Sequence, residues 1–244
     1  MIRDVAVIVP AANEEHHIAG CLASIEVAIR HLSQRDPGIR VRVIVTLDGC
    51  HDATAAICAT FPGVSTVTTT TRNVGAARRA GTRAALSRRA GPAAELWLAS
   101  TDADTAVPAA WLTVMVAAAG RGAGLVLGTV LPGPGLSPET RVQWLARHHL
   151  RDGHPHVHGA NLGIRADAYL ALGGWLPLVT GEDTDLARRA AAAGWLRICR
   201  TAAIPVVTSV RSAGRAPRGF SSYLRALSGP GVTGLAGTAA TPAP

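Results

Sequence analysis

Asp102-Ala103-Asp104 follows the apolar run Leu96-Trp97-Leu98-Ala99, with only Ser100 and Thr101 between. Two carboxylates one residue apart are a typical ligand pair for a hard divalent cation, which prefers oxygen and keeps phosphate oxygens in its shell. A short apolar run reads as a buried parallel strand, and open α/β sheets bind ligands at the carboxyl ends of their strands. A strand ending in Asp-x-Asp therefore points to a diphosphate held through Mg²⁺ or Mn²⁺. The plainer alternative is that such a pair caps a helix or fills a turn.

Three earlier loops carry similar chemistry. Pro10-Ala11-Ala12-Asn13-Glu14-Glu15 places polar groups directly after the apolar run Val5-Val9, and Asp48-Gly49-Cys50-His51-Asp52 puts a carboxylate on a tight turn before a helix. Arg72-Asn73-Val74-Gly75-Ala76-Ala77-Arg78-Arg79 brings cations and glycines to a helix start, an arrangement suited to anions. Taken singly, each has a simpler reading: Asn13 and Asp52 as N-caps, Gly49 as a turn residue, Arg78 and Arg79 as a solvated helix face.

The elements that must position these loops alternate along the chain. Apolar runs at Val5-Val9, Val41-Leu47, Val64-Thr70 and Leu96-Ser100 are followed by helical segments over Glu14 to His31, Asp52 to Thr60, Gly75 to Ala90 and Ala109 to Ala119. Such alternation predicts an α/β fold with a mostly parallel sheet flanked by helices. Leu125-Val130 reads as a further strand. Pro132-Gly133-Pro134-Gly135 then breaks the pattern before a helix over Pro138 to Leu150. The expected organisation is one domain over 1–228, with a nucleotide half to about 131 and an acceptor half from about 132. From Gly229 to Pro244, Gly, Pro, Ala and Thr without periodicity predict a disordered tail.

Composition narrows the function classes. With 48% hydrophobic and 16% charged residues over 244 positions, the chain can bury a full core. The net charge is +8, but the arginines that carry it are scattered and aromatics make up only 4%, which argues against nucleic acid. A positive balance favours an anionic ligand or an anionic membrane surface. Cys21, Cys50, Cys58 and Cys199 form no CxxC pair or zinc spacing and read as reduced thiols of the cytoplasm. No signal peptide is expected before the first strand. Leu112 to Leu131 is too broken by Arg121 and glycines to span a bilayer, so the expected location is cytoplasmic or membrane-peripheral. The oligomeric state is left open.

Read in order, Val-Ile-Val-Pro-Ala-Ala-Asn-Glu-Glu (7–15), Leu-Asp-Gly-Cys-His-Asp-Ala-Thr (47–54), Arg-Asn-Val-Gly and Ala-Arg-Arg-Ala-Gly (72–81) and Asp-Ala-Asp (102–104) closely resemble the signatures of glycosyltransferase family 2. So do Gly159-Ala160-Asn161, the turn Gly173-Gly174-Trp175 and Gly181-Glu182-Asp183. The resemblance covers residues 5 to 227. It implies a GT-A fold and a metal-dependent, inverting enzyme that moves a single sugar from a nucleotide-sugar donor to an unidentified hydroxyl acceptor, a small molecule, glycan or lipid-linked group. It implies donor contacts from Pro10, Ala11, Asn13, Glu14, Asp48, Asn73, Arg78 and Asp102, with Asp48 facing the base. Asp104 with Asp102 would hold Mn²⁺ or Mg²⁺, Asp183 would be the general base, and Glu182 would orient the acceptor.

Leu47 stands where the family usually has the first of two adjacent aspartates, and Arg79 where it usually has asparagine. The Gln-x-x-Arg-Trp motif of processive polymerases is absent, with Arg215-Ala216-Pro217-Arg218-Gly219-Phe220 in that neighbourhood. His148, His149, His154, His156 and His158 cluster before Asn161, and the period of two sets three of them on one face. They could bind zinc, contact the acceptor, or serve a solvated or core role. Three rival functions use similar residues: a retaining relative with a small phosphorylated acceptor, a nucleotidyltransferase, and a non-catalytic nucleotide-sugar binding protein.

Overall fold

The computed structural model describes residues 1–148 and 150–210. His149, the Arg215–Phe220 segment and the 229–244 tail lie outside the described residues.

The alternation is realised as β1 (Asp4–Ala11), α1 (Ile18–Arg35), β2 (Arg40–Asp48), α2 (Thr54–Ala59), β3 (Val64–Thr69), α3 (Val74–Ser87), β4 (Leu96–Ser100), β5 (Thr105–Ala106), α4 (Trp111–Gly120), β6 (Leu125–Pro132), α5 (Pro138–Arg147), β7 (Leu162–Arg165), α6 (Ala166–Ala171), α7 (Glu182–Ala192) and β8 (Ile198–Thr208). Among the described residues the strands form one eight-stranded sheet in the order β3-β2-β1-β4-β7-β6-β8-β5. β1 runs parallel to both β2 and β4, β2 to β3, and β6 to β8; β7 and β5 run antiparallel to their neighbours. The order reverses between β1 and β4, which opens a crevice at their carboxyl ends.

The near-continuous apolar runs follow from burial on both faces. Val5, Val7 and Val9 of β1 pack with Ile18, Leu22 and Ile25 of α1 and Trp111, Leu112 and Met115 of α4. The alternate residues Ala6 and Ile8 pack against Ala85 of α3, Tyr169 of α6 and Leu186 of α7. Gly81 lets α3 lie close on the sheet, since a Cβ there would sit 2.7 Å from Thr46 Oγ1 and 2.9 Å from Ile8 Cγ2.

Several boundaries differ from the sequence reading. α1 starts at Ile18 rather than Glu14; the Glu14 and Glu15 N–H groups before it donate to Thr54 Oγ1 (2.7 Å) and Asp52 Oδ2 (3.0 Å), tying this loop to the next. α2 starts at Thr54, not Asp52, and α3 ends at Ser87. α5 stops at Arg147 because His148 turns extended, so the helix does not reach Leu150. The sequence reading gave no strand at β8, where Pro205 interrupts the apolar run. The strand accommodates it because the register against β6 shifts between Gly128 and Val130, a stretch in which Pro205 has no ladder partner. The region Leu112 to Leu131 divides between α4 and β6. No described helix is long and apolar enough to cross a membrane.

Candidate active site

A cavity of about 940 Å³ opens at the carboxyl ends of β1, β2 and β4. Pro10, Ala11, Asn13, Glu14, Asp48, Asn73, Arg78, Asp102, Asp104, Glu182 and Asp183 all line it, so residues spread over most of the chain converge on one space.

Its centre is Arg78. The sequence left open a solvated helix face for Arg78 and Arg79; Arg79 is exposed, but Arg78 is only 2% exposed. Its guanidinium donates to Asp102 Oδ1 and Glu182 Oε1, and its Nε donates to Ser100 Oγ at 3.0 Å. The Trp175 ring lies under it, 5.6 Å from Cζ to the centroid, a cation–π contact. Gly159 leaves room for the group: a Cβ there would meet the guanidinium at 2.6 Å. Burial opposes the charge, yet Asp102, Glu182 and Asp183 hold its proton above the usual arginine range.

The carboxylates around it have unequal surroundings. Burial pushes Asp102 up to about 6, with Asp104, Glu182 and Asp183 adding to the rise that Arg78 opposes. The 37% exposure of the Asp102 side chain is toward the concave cavity. Burial likewise raises Glu182. Asp104 accepts from Ser209 Oγ (3.0 Å) and Thr208 Oγ1 (3.4 Å) at the end of β8. Asp183 Oδ2 accepts the Gly159 N–H at 2.7 Å and Oδ1 accepts the Thr184 N–H at 2.6 Å, which ties the start of α7 to the turn before β7. The N-cap of α7 is Gly181, in the left-handed region at φ 80°, so neither acid occupies the cap.

The donor set fits a divalent cation. Hard carboxylate oxygens of Asp102, Glu182 and Asp183 gather about the single Arg78 charge, and with Asp104 they add to the rise that burial imposes on Asp102. No group of three or more His, Cys, Asp or Glu residues among the described residues could hold a metal alone. A cation here would need phosphate oxygens to complete its shell, as is usual for Mg²⁺.

The first three loops are stitched to one another. Asn13 adopts φ 54° and Arg72 φ 48°, uncommon for residues with a Cβ. Each is held by hydrogen bonds: Asn13 Oδ1 accepts the His51 N–H at 2.7 Å, and the Arg72 N–H donates to Asp48 at 3.0 Å. Asp48 also accepts from Asn73 N–H (2.9 Å), Thr71 N–H (2.7 Å) and Thr69 Oγ1 (2.9 Å). Those donors outweigh burial and hold its carboxyl below the usual range. Asp48 thus lines the cavity mainly as the clamp of the 69–73 loop. Asn13 caps no helix: the N-cap position of α1 is His17, and Asn73 caps α3, its Oδ1 accepting the Ala76 N–H at 2.9 Å.

The histidines do share a face, stacked as a column. His148 lies on Trp144 at 4.0 Å between centroids and 8° between planes, His156 on His148 at 4.9 Å, and His154 and His158 flank His156 at 5.7 and 6.0 Å. Stacked rings turn faces toward each other rather than converging nitrogens on one point, so the zinc reading is not realised among the described residues. Arg147, His148, His156 and His158 line the same cavity.

Sequence reasoning missed Ser100, Trp175 as the floor under Arg78, and Thr208 and Ser209. Ser100 and Trp175 sit inside motifs it had already marked. Asn161 proves to be a buried tie: Trp111 Nε1 donates to its Oδ1 (2.9 Å), and its Nδ2 donates to the carbonyls of Thr129 (2.8 Å) and Ile204 (2.7 Å).

A family model described as Glycosyl transferase family 2 matches residues 6–170. No curated protein matches the chain. Among solved structures, Staphylococcus aureus TarS residues 1–349 is similar at 16% identity and TM-score 0.57, covering 85% of this chain and 60% of that one. The longer S. aureus TarS structure has 17% identity and TM-score 0.59, over 86% and 37%. Glucosyl-3-phosphoglycerate synthase from Mycobacterium tuberculosis, in complex with Mn²⁺, uridine diphosphate and phosphoglyceric acid, has 19% identity and TM-score 0.54, over 93% and 75%. The chain therefore spans 60% and 37% of the two TarS chains it matches.

Proposed function

The chain belongs to glycosyl transferase family 2, and from that premise we propose that it transfers a single sugar from a nucleotide-sugar to a hydroxyl acceptor with inversion at the anomeric carbon. The fold is that of the GT-A glycosyltransferases. One observation carries the reading: Asp102 and Asp104 after β4 share a cavity with Asp183 at the start of α7.

Pro10, Ala11, Asn13, Glu14, Asn73 and Arg78 form the donor wall, and Asp48 fixes its third loop. Asp102 and Asp104 would hold Mn²⁺ or Mg²⁺, which when bound neutralises charge on the departing diphosphate. Asp183 takes the proton of the acceptor hydroxyl as its oxygen bonds to the anomeric carbon and the bond to the diphosphate oxygen breaks. Glu182, engaged by Arg78, orients the acceptor side. The hydrogen bonds from Gly159 and Thr184 fix the Asp183 carboxylate in place, and each oxygen keeps further lone-pair capacity for a proton. We place this activity in the cytoplasm, free or at a membrane surface.

The test is a nucleotide-sugar screen by thermal shift with and without Mn²⁺, since a ligand of the folded state raises apparent stability. The donor that stabilises only with metal then goes into a transfer assay, with the product anomer read by NMR. Inverted configuration supports the reading; retained configuration replaces it with the retaining mechanism. Stabilisation independent of metal removes the cation from the site.

A further inference from the structure

We propose that Arg147, His148, His156 and His158 form an anion subsite within the same cavity, so that the hydroxyl acceptor carries a phosphate or carboxylate group. This rests on the glycosyl-transfer reading and adds the acceptor's chemical class.

The wall is built, not incidental. Trp144 is fully buried against Leu131 and Leu136 and anchors α5. His148 follows the helix, its Nδ1 donating to the Trp144 carbonyl at 2.8 Å while its ring stacks on the indole. The 154–158 segment has no regular structure, yet Arg200 of β8 donates to the carbonyls of His154 and His156, each at 3.2 Å. His154 Nε2 donates to the Thr201 carbonyl at 3.3 Å. Stacking and backbone bonds thus hold a column of imidazoles at the cavity. Three of the four rings, His148, His156 and His158, line the cavity, while His154 is buried.

Its chemistry complements the rest of the cavity. Every carboxylate lining the cavity lies in loops 10–14, 48–49 or 102–104 or at the start of α7, and none lies between Arg147 and Ala160. This wall offers the Arg147 guanidinium, which suits phosphate and carboxylate oxygens, beside the imidazoles; His148, whose Nδ1–H is given to the Trp144 carbonyl, donates to an anion from Nε2 only as an imidazolium. Burial holds His158 down to about 4, so at neutral pH it is an uncharged ring, and the positive charge comes from Arg147. The wall also adjoins the reacting group: Gly159, next to His158, donates its N–H to Asp183. An acceptor anchored by its anion on this wall presents a hydroxyl toward that carboxylate.

Calorimetry with inorganic phosphate tests the wall, using the full chain saturated with Mg²⁺ and whichever nucleoside diphosphate binds it best. Saturable phosphate binding is expected, weakened at least tenfold by Arg147→Ala and by His156→Leu, with native nucleotide affinity in both. Arg147 is exposed, so its variant folds even where His156→Leu does not. In a second arm, hydroxyl compounds are offered in pairs: glycerol against glycerol 3-phosphate, and glycerol against glycerate. The anionic member should react at least tenfold faster, Arg147→Ala should erase the difference, and the two pairs distinguish phosphate from carboxylate. Phosphate binding that is absent, or equal in wild type and Arg147→Ala, overturns the proposal, as does equal turnover of the neutral members. If no nucleoside diphosphate binds, the glycosyl-transfer reading fails, and phosphate titration of the unloaded chain still judges the wall.

Discussion

The carboxylate wall of the cavity holds its side chains by charge, whereas the imidazole wall holds them by ring stacking and bonds to backbone carbonyls. In the first, Arg78 joins Asp102 to Glu182 across a sequence separation of 80 residues, and the group is 2% exposed. In the second, His148 and His156 lean on Trp144 and on carbonyl bonds that Arg200 supplies. A buried charge network fails as a unit when one member is lost, because the partners are left uncompensated. A stacked column loses contacts one at a time. Mutations should therefore act globally on one wall and locally on the other.

Arg78→Met breaks this contrast most severely. Removing one partner of a buried ion pair costs about 3–5 kcal/mol, and here Asp102 and Glu182 lose their partner together. The melting temperature should drop steeply in chemical and thermal unfolding, with partial recovery on adding Mn²⁺. A variant as stable as wild type would show that Arg78 is not the electrostatic centre of this wall.

Asp183→Asn keeps the shape and the ability to accept the Gly159 N–H while losing basicity. General-base assistance is worth about 10²–10⁴ in rate, so transfer should fall at least a hundredfold while folding and nucleotide affinity persist. Near-native turnover would reduce Asp183 to a tie between α7 and the turn before β7.

Asp104→Asn leaves bonds to Thr208 and Ser209 available but weakens the ligand set proposed for the cation. Calorimetry should show the enhancement of nucleoside diphosphate binding by Mn²⁺ falling about tenfold, a loss of roughly 1.4 kcal/mol. Unchanged coupling would move the cation elsewhere.

The smallest effect belongs to the imidazole wall. Burial lowers the folded-state pKa of His158 from 6.5 to about 4, so below pH 6.5 the unfolded chain takes up a proton that the folded chain refuses. Its contribution is therefore fully present above pH 6.5 and is lost as pH falls toward 4. The melting temperature of His158→Gln should decline less than that of wild type over this window; parallel curves would place the ring in a more open setting.

Much of this arrangement was legible in the chain. Runs such as Val5-Val9 and Leu96-Ser100 are apolar without alternation because both sheet faces are covered, and that alone signals a parallel sheet. Asp-x-Asp at a strand end and Gly181-Glu182-Asp183 at a helix start announce a site because strand and helix ends are where backbone geometry leaves polar groups available. β8 was hidden by Pro205, and with it Thr208 and Ser209. The burial of Arg78 was hidden too, since Arg78 and Arg79 are identical in type and adjacent, and only the packing of α3 on the sheet turns one inward and the other to solvent.

The sequence by itself determined the α/β alternation, the loops that carry polar chemistry and the family, because these rest on local periodicity and on spacing within short segments. Only the tertiary structure decided which acids share one guanidinium, that Asp48 spends its oxygens on a neighbouring loop, and that two histidines eight residues apart stack on each other above a tryptophan that only the first one touches. Those outcomes depend on contacts between residues from 8 to 104 positions apart, and such contacts form only once β2 pairs with β3, α3 and α7 pack into one cluster against the sheet, and β8 holds the 154–158 segment.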